Sequence, residues 1–433
     1  RYEFNAPVFE KYGRMANLDI APGFTAVAVV TPGVAGPYSG AFPDGLIDPD
    51  RNNFSPRLGF AFKPLKGRST QLRGGYGIYY NASIYNQAAS RMAQQPPFAK
   101  SSSVQTSAGN PLTIRDGFTV APRQQITNTF AVARDYRTGY AQTWNFSVQQ
   151  ELPFALVVEL GYLGTKGTRL DIQRLPNRAA PGSPLTAEDR RLIANASGFT
   201  FDSSEGNSIY HAGQVRLSRR MRHGISANAL YSWGRSIDNA STLGGGGAVV
   251  AQNDKDLAAE RGLSSFDRRH TLNLFWVLST GFGGRRGSSR SAHNLLLRDW
   301  TWSGGVTARS GGPFTATVLG NRSDASGTGA SGSSRADATG LPVKTGEEYF
   351  NLLAFALPPA GKFGNAGRNT IPGPGFFAVN TSVGRNISLG ESRRNLDLRL
   401  EANNVLNSVS ITRIGTTVNS SSYGLATAAG NMR

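Results

Sequence analysis

The stretch Phe54-Ser-Pro-Arg-Leu-Gly-Phe-Ala-Phe-Lys-Pro64 is followed, after a short turn, by Thr70-Gln-Leu-Arg-Gly-Gly-Tyr-Gly-Ile-Tyr-Tyr80. In both segments apolar side chains recur at every second position, which places them on one face of a β-strand. The opposite face carries Arg57, Gln71, Arg73 and several glycines. Strands with one apolar and one polar face are typical of a sheet between lipid and a wet lumen. The two segments therefore predict a membrane β-hairpin.

The same alternation recurs along the chain and predicts further strands. It is sharpest where Leu396, Leu398 and Leu400 alternate with three charged residues. We count about ten complete strands plus a stub at residues 1–4, roughly half of the ~22 strands of plugged outer-membrane transporters. The additional predicted strands cover residues 140–152, 156–162, 214–220, 225–236, 270–279, 300–310, 376–387 and 395–405.

Composition supports strands rather than helices. Only 39% of the 433 residues are hydrophobic, yet 52 are glycine and 10% are aromatic. No stretch approaches the roughly 18 unbroken apolar residues that a spanning helix needs. Cysteine is absent, which excludes disulfides, thiolate catalysis and cysteine-ligated metals.

The net charge of +18 allows three interpretations. The protein contacts an anionic lipid surface, it is neutralised by acidic parts outside this sequence, or it binds nucleic acid. The Lys and Arg residues are scattered through turns and strand flanks rather than clustered on one segment. This distribution favours the first two interpretations, and we expect no nucleic-acid partner.

Short and long connections alternate along the chain. Short turns are predicted at residues 65–69, at Pro153, at 221–224 and at 389–394, with a longer one at 281–298. Long Gly/Ser/Asn-rich connections are predicted at residues 81–139, 166–207, 237–269 and 318–375. Alternation of this kind predicts an all-β fold, an antiparallel transmembrane β-barrel with long external loops and short periplasmic turns. Because unpaired edges are not tolerated in hydrocarbon, a half-barrel requires further strands.

Several of these segments resemble TonB-dependent outer-membrane receptors, in particular the Oar-like group. The segments that carry the resemblance are residues 53–62, 72–79, 144–153, 159–168, 231–238, 260–270, 363–369 and 399–407. The resemblance implies a bacterial outer-membrane receptor that binds an external ligand and imports it with energy from TonB. It also implies that residues 1–433 are the C-terminal portion of the barrel, without the plug, the TonB box, the N-terminal carboxypeptidase-regulatory-like domain and the final strand. TonB would then act through that missing N-terminal part.

Three sets of candidate functional residues follow from this interpretation. Aromatic residues near strand ends are expected to form membrane girdles in contact with outer-membrane lipid or lipopolysaccharide; a soluble sandwich core is the alternative. These are Tyr79, Tyr80, Trp144, Tyr162, Tyr231, Trp233 and Trp276. Charged residues are expected to face the lumen or the plug: Arg73, Glu159, Arg216, Asp267, Arg268, Arg269, Arg399 and Glu401. Loop residues are expected to contact an external ligand: Tyr85, Arg91, Phe98, Arg134 and Tyr136.

The segment from Glu260 to His270 permits two interpretations, a lumen-lining patch that contacts plug or ligand, or a solvated loop end with internal ion pairs. A hydrolase is disfavoured because Ser264 and Ser265 lack a nucleophile-elbow context.

Neither a metal site nor a cofactor is predicted, since the four histidines lie on separate segments. Residues 48–52 resemble the start of a calcium loop but lack its glycine and glutamate, and residues 244–247 lack a phosphate-loop lysine. A short helix is predicted near residues 186–193.

The sequence leaves alternatives to a transporter open. A structural or adhesive outer-membrane barrel without active transport has the same strand pattern. A secreted soluble β protein is the third possibility. The ligand itself is not identified by any of these residues.

Overall fold

A single antiparallel sheet of ten long strands dominates the computed structural model. The structure describes residues 1–81, 84–99, 113, 115, 126–180, 190–239, 251–280, 299–319, 334–344, 346, 348–359, 361–388 and 395–430. The ten strands are β1 (Arg57–Phe62), β2 (Gln71–Asn81), β3 (Gly139–Leu152), β4 (Leu156–Arg174), β5 (Thr200–Arg222), β6 (Ile225–Asp238), β7 (His270–Ser279), β8 (Trp300–Arg309), β9 (Phe376–Ser388) and β10 (Asn395–Ala402).

The strands lie side by side in chain order, each paired with the next. Two short additions join this path: Phe130–Val132 runs parallel to the start of β5, and Gly262–Leu263 pairs with the end of β6. Strands β1 and β10 lie at opposite ends of the path, so the sheet is an open one and not a closed barrel.

The register gives the sheet one apolar face. Directly opposed residues on antiparallel neighbours point to the same side. One row crosses nine strands and is almost entirely apolar: Phe62, Leu72, Val148, Leu160, Val215, Tyr231, Leu272, Ala308 and Phe377. None of the described segments covers this face, because Leu58 is 74% exposed, Leu160 54% and Leu400 74%. These side chains therefore do not form the core of a two-layer soluble protein.

The neighbouring row points to the other face and is mostly polar. It runs through Gln71, Gln149, Glu159, Arg216, Leu230, Asn273, Thr307 and Ala378. The strands satisfy each other's backbone hydrogen bonds. Successive side chains along each strand point to opposite faces, and this alternation separates apolar from polar residues. This separation is the one that a membrane barrel requires.

The four longest connections between consecutive strands, β2–β3, β4–β5, β6–β7 and β8–β9, leave the sheet at one end, which we call the outer end. At this end β4 and β5 extend to 19 and 23 residues, about twice the 9–11 residues that cross a bilayer. Their outer parts, beyond about Gly164 and His211, therefore stand above the apolar band.

The outer connections contain the remaining elements. One α-helix, α1, covers Ile84–Ala93, and 3-10 turns cover Pro22–Phe24, Leu257–Glu260 and Leu352–Ala354. Short antiparallel pairs join Asn17–Ile20 to Val27–Val30, Ala35–Gly36 to Gly40–Ala41, Pro313–Phe314 to Ile371–Pro372, Asp337–Ala338 to Phe355–Ala356, and Ile411–Ile414 to Ala426–Ala429. No helix in the described part of the chain is long and apolar enough to cross a bilayer.

Buried side chains lie at the outer end, in three packed groups. The first outer cluster includes Met15, Leu46, Tyr85, Met92, Phe130 and Tyr136. The second outer cluster includes Ala316, Val318, Phe350, Phe355, Ile371 and Ile414. A third group of Leu18, Val27, Ile193, Phe199 and Phe201 packs beside the outer part of β5. The outer connections are thus compact structures with their own cores.

The structure corrects three expectations about the elements. Both ends of the predicted loop over residues 166–207 are strand, at 166–174 and 200–207, because β4 and β5 continue past the apolar band. The predicted strand stub at residues 1–4 makes only an isolated bridge, between Tyr2 and Phe54. Helix α1 lies in a region predicted to be a long loop. The predicted turn at 389–394, the first half (186–189) of the predicted helix near 186–193 and the glycines at 244–247 lie outside the described residues.

Candidate functional site

Two of the predicted ligand-contact residues, Tyr85 on helix α1 and Tyr136 before β3, lie in the first outer cluster. Tyr85 and Tyr136 are 3% and 2% exposed, and their ring centroids lie 6.3 Å apart. Tyr85 Oη lies 3.2 Å from Thr138 Oγ1, and Tyr136 Oη donates to Asp171 Oδ1 over 3.4 Å. Burial raises the pKa of both hydroxyls. Both side chains are thus enclosed by the first outer cluster and expose almost no surface to an external ligand in this structure.

The other predicted contact residues are more accessible, but the two arginines already have partners. Arg91 stacks over Phe130 at 4.0 Å and donates to Thr200 Oγ1 over 2.8 Å. Arg134 pairs with Asp48 at 3.3 Å and lies over the Phe42 ring. Phe98 is 43% exposed. Arg91 and Arg134 therefore connect separate segments of the outer end. Phe98 has the most exposed side chain of the five predicted contact residues.

Asp202, which the sequence did not single out, lies beneath Arg91 with its side chain fully buried. Arg91 Nη1 is 3.9 Å from Asp202 Oδ2. Burial, together with the charge of Asp171, raises the pKa of Asp202 to about 7, while the nearby Gln173 and the charge of Arg91 act to lower it. Asp202 belongs to the part of β5 that pairs with Phe130–Val132, above the apolar band. Its charge state is thus coupled to the packing of the outer end.

A second buried polar group joins three segments that lie far apart in the sequence. Glu260 is 0% exposed and accepts from Arg335 Nη1 over 2.8 Å. The backbone amide of Gln252 donates to the other Glu260 oxygen over 2.8 Å. Gln252 in turn accepts from the Arg335 amide and donates to the carbonyl of Gly364. These contacts fix the positions of residues 251–260, 334–336 and 363–369 relative to each other.

Arg368 ties this buried group to the main sheet. Its guanidinium pairs with the carboxylate of Asp238 at the end of β6 and donates from Nε to the carbonyl of Glu260 over 2.9 Å. Asn369 donates to the carbonyl of Leu263 over 2.6 Å. The segments 260–270 and 363–369 thus meet in space. Glu260 forms an ion pair, but its partner Arg335 lies outside the segment 260–270 and the pair is buried, which differs from the solvated loop end with internal ion pairs that one interpretation proposed.

Asp267, Arg268 and Arg269 are not a single patch. Asp267 is buried, and its Oδ1 accepts from the Ser236 amide over 2.6 Å. Burial lowers the pKa of Arg268, and the nearby charge of Arg309 lowers it further. The Arg269 carbonyl accepts from the Gly234 amide. His270 Nδ1 lies 2.7 Å from Tyr231 Oη, so Asp267 and His270 have different partners and do not form a serine-hydrolase arrangement.

The remaining predicted lumen residues share the polar face of the sheet. Arg216 lies directly opposite Glu159, and Arg73 lies opposite Ser147. Arg399 and Glu401 alternate on β10 with the leucines and pair at 2.8 Å, both well exposed. In a barrel the polar face lines the interior. Among the described residues no group of His, Asp and Glu could hold a metal ion.

Aromatic residues form two belts on the apolar face. In the outer belt His211 stacks on Tyr162 and meets Trp144 at 6.0 Å, and His270 stacks on Tyr231 beside Trp233. Tyr80 pairs with Tyr140 in the same belt. The part of β4 from Leu156 to Gly164 is about 26 Å long at ~3.3 Å per residue, which is enough for a strand to cross most of an outer-membrane apolar band.

The inner belt contains Trp276, whose ring meets Trp302 at 5.8 Å, and Trp300, which lies under Arg385.

Tyr79 differs from the other predicted girdle residues. It lies on the polar face, 4.4 Å from the Arg57 guanidinium, because it alternates with Tyr80, and its prediction as a girdle residue is corrected. His211, His270, Trp300 and Trp302 were not predicted as girdle residues, although their spacing along the strands would have shown that they share the apolar face.

The antiparallel sheet has an apolar face with two aromatic belts and an opposite polar face. These features are typical of outer-membrane β-barrel proteins. The chain matches the family described as outer membrane beta barrel domain over residues 1–433, and it belongs to that family. A bacterial outer-membrane location follows from this membership. No curated protein matches the chain.

Solved structures with a similar fold are outer-membrane transporters and receptors. The outer membrane transporter YddB from Escherichia coli superposes with a TM-score of 0.51 at 11% identity, covering 86% of this chain and 38% of that protein. The ferric-catecholate import receptor Fiu from E. coli aligns with 94% of this chain and 39% of its own at 11% identity, with a TM-score of 0.39. The ferripyoverdine receptor of Pseudomonas aeruginosa aligns with 91% and 33% at 13% identity, with a TM-score of 0.40. The chain thus spans well under half the length of these proteins.

Proposed function

We propose that this chain is the C-terminal part of the barrel of a TonB-dependent receptor of the Oar-like group, which binds an external ligand and imports it. The observation that carries the proposal is the ten-stranded sheet itself. One face is apolar and girdled by aromatics, the other carries charged residues such as Arg73, Glu159 and Arg216, and the fold is shared with an outer-membrane transporter. Import, rather than catalysis, is the activity that a polar passage across a membrane supplies.

Open strand edges support the assignment to part of a barrel. Within the described residues both β1 and β10 pair on one side only, and unpaired strand edges in hydrocarbon cost several kcal/mol per group. Additional strands from the rest of a longer protein would satisfy these groups. In this proposal the plug, the TonB box, the N-terminal carboxypeptidase-regulatory-like domain and the final strand all lie outside residues 1–433.

The outer end supports binding rather than free loop motion. Its connections have buried cores and buried ion pairs such as that of Glu260 and Arg335. A surface organised in advance loses less conformational entropy when it binds a ligand. The apolar face of the sheet is proposed to contact outer-membrane lipid, including lipopolysaccharide.

Binding to TonB tests the proposal directly. The full-length protein is purified in detergent and its affinity for the periplasmic domain of TonB is measured, beside a variant that lacks the segment upstream of Arg1. We expect saturable binding by the full-length protein and its loss in the truncated variant. Absence of binding by the full-length protein would favour a structural or adhesive barrel instead.

A further inference from the structure

The outer aromatic belt contains an open notch on the apolar face of the sheet, over Gly213 of β5. Three other glycines on this face are covered by an aromatic ring of the neighbouring strand: Gly74 by Phe60, Gly164 by Trp144 and Gly304 by Trp276. At Gly213 no described atom beyond its chain neighbours lies within 4 Å of the position that a Cβ would take. Its directly opposed residues are Tyr162 and Trp233, so the notch lies between two residues of the belt.

The ring of Tyr162 leaves the notch open because it turns to His211, two residues further out on β5. The two rings stack with centroids 6.1 Å apart, and Tyr162 Oη lies 2.7 Å from His211 Nδ1. On the other side of the notch Trp233 is 57% exposed. Toward the membrane centre the notch opens onto the apolar row that contains Leu160, Val215 and Tyr231. Acyl chains of the membrane therefore reach it.

Arg235 lies on the same face of the sheet, directly outward of the notch. It follows Trp233 by two residues on β6 and is directly opposed to His211, and both Arg235 and His211 are exposed. Opposed residues on antiparallel strands have Cβ atoms about 5 Å apart, so these two side chains can contact the same small anion. From β3 to β6, this row and the next row outward contain one further cation and no carboxylate: Trp144, Gly164, His211 and Arg235, then Gln142, Lys166, Ile209 and Ile237. The charge at this position therefore favours an anion.

His211 supplies a hydrogen-bond donor beside the guanidinium of Arg235. Its Nδ1 lies at hydrogen-bond distance from the Tyr162 hydroxyl. When that hydroxyl donates, the proton of a neutral imidazole lies on Nε2, and Nε2 can then donate to an anion that Arg235 also binds. Aromatic belts lie at the level of the lipid headgroups. An anion between Arg235 and His211 is therefore at headgroup level, with the notch on its acyl-chain side.

We propose that this site binds a phosphorylated lipid of the outer leaflet, with a phosphate on Arg235 and His211 and an acyl chain in the notch over Gly213. Arginine forms charge-assisted, often bidentate hydrogen bonds to phosphate oxygens. The acyl chain adds the burial of methylene groups between Tyr162 and Trp233. The inference rests on the proposed contact of the apolar face with outer-membrane lipid, and not on import or TonB.

Retention of lipid A in nanodiscs tests the site. The full-length protein is reconstituted in phosphatidylcholine nanodiscs containing a small fraction of lipid A, and bound lipid is counted by native mass spectrometry. Arg235→Gln should lower retention about tenfold, since it removes charge-assisted hydrogen bonds. The matched control Arg222→Gln removes the same charge from an exposed residue at the opposite end of the sheet and should retain lipid A like the wild type.

Three further variants test the parts of the site separately. Arg235→Lys keeps the charge and should retain more lipid A than Arg235→Gln. His211→Phe keeps a ring beside Tyr162 but removes the donor, and should weaken retention. Gly213→Trp fills the notch, where the described structure leaves room for a side chain, and should also weaken retention. Heat-modifiable migration on gels verifies that each variant is folded.

Competition with inorganic phosphate separates a lipid site from a site for a free anion, and phosphate alone should not displace lipid A. Unchanged retention in Arg235→Gln, or an equal loss in Arg222→Gln, would overturn the proposal. Displacement of lipid A by inorganic phosphate, with Gly213→Trp unaffected, would overturn it as well. Binding to TonB should be the same in all these variants, so failure of the lipid site is distinguishable from failure of the proposed import.

Discussion

At the scale of single residues, the ion pair of Glu260 and Arg335 stabilises the folded structure of the second outer cluster. Both side chains are buried, at 0% and 7% exposure. Glu260→Gln leaves Arg335 charged without its carboxylate, which for a buried pair costs about 3–5 kcal/mol. We expect faster amide hydrogen exchange and faster proteolysis in residues 334–372, while the strands stay protected.

The matched control for this substitution is Glu401→Gln. The distance from Arg399 Nε to Glu401 Oε1 is 2.8 Å, the same as in the buried pair, but both side chains are more than half exposed. An exposed pair contributes about 0–1 kcal/mol. Equal loss of protection in the two variants would show that the buried pair does not organise the outer end.

Asp202 should make the first outer cluster less stable as the pH rises toward neutrality. The native carboxyl has a pKa of about 7 against an ordinary value of 3.8. Between these values the unfolded cluster binds fewer protons than the native one, so stability falls as pH rises from about 4 to about 7. Asp202→Asn should flatten this dependence. Hydrogen exchange of Phe130–Val132, corrected for the intrinsic rate at each pH, measures the effect, and equal slopes in wild type and variant would contradict it.

At the scale of elements, the β5–β6 hairpin depends on Gly224. Its φ is +74°, and a Cβ at this position would collide with the carbonyl of Ser279 on the neighbouring strand. Gly224→Ala should therefore destabilise the barrel by more than about 1 kcal/mol. Gly213→Ala in the same hairpin is the control, because no atom lies within 4 Å of its Cβ. The temperature at which each variant loses its heat-modifiable band compares them, and equal temperatures would refute the argument.

Strands within the apolar band could be predicted from the sequence, and those outside it could not. Residues 270–279 match β7 residue for residue, because every second side chain there meets lipid. The outer part of β5, with its sequence Asp-Ser-Ser-Glu-Gly-Asn from Asp202 to Asn207, has no lipid to select apolar residues, so the alternation is lost. Helix α1 was predictable, since its buried residues Tyr85, Ala88, Ala89 and Met92 follow the helical period.

The candidate site was harder to predict than the strands. The pairs of Glu260 with Arg335 and of Arg368 with Asp238 join residues 75 and 130 positions apart in the chain. A single sequence gives no distance between such residues. Tyr85 and Tyr136 were placed correctly in the outer connections, but their burial depends on packing against α1 and Phe130 that no local pattern indicates.

At the scale of the whole molecule, the two free edges allow a decisive test, because the chain contains no cysteine. If ten strands closed on themselves, β1 and β10 would pair, and a cysteine at Gly59 would come within disulfide distance of a cysteine at one of the polar-face positions of β10, such as Asp397, Arg399 or Glu401. We expect no crosslink between Gly59 and any of these positions in the full-length protein, since further strands should lie between them. Asn273→Cys/Thr307→Cys is the positive control, because these residues are directly opposed on β7 and β8. A crosslink from Gly59 to any of these positions as efficient as the control would show a complete ten-stranded barrel and would overturn the assignment of this chain to part of a larger one.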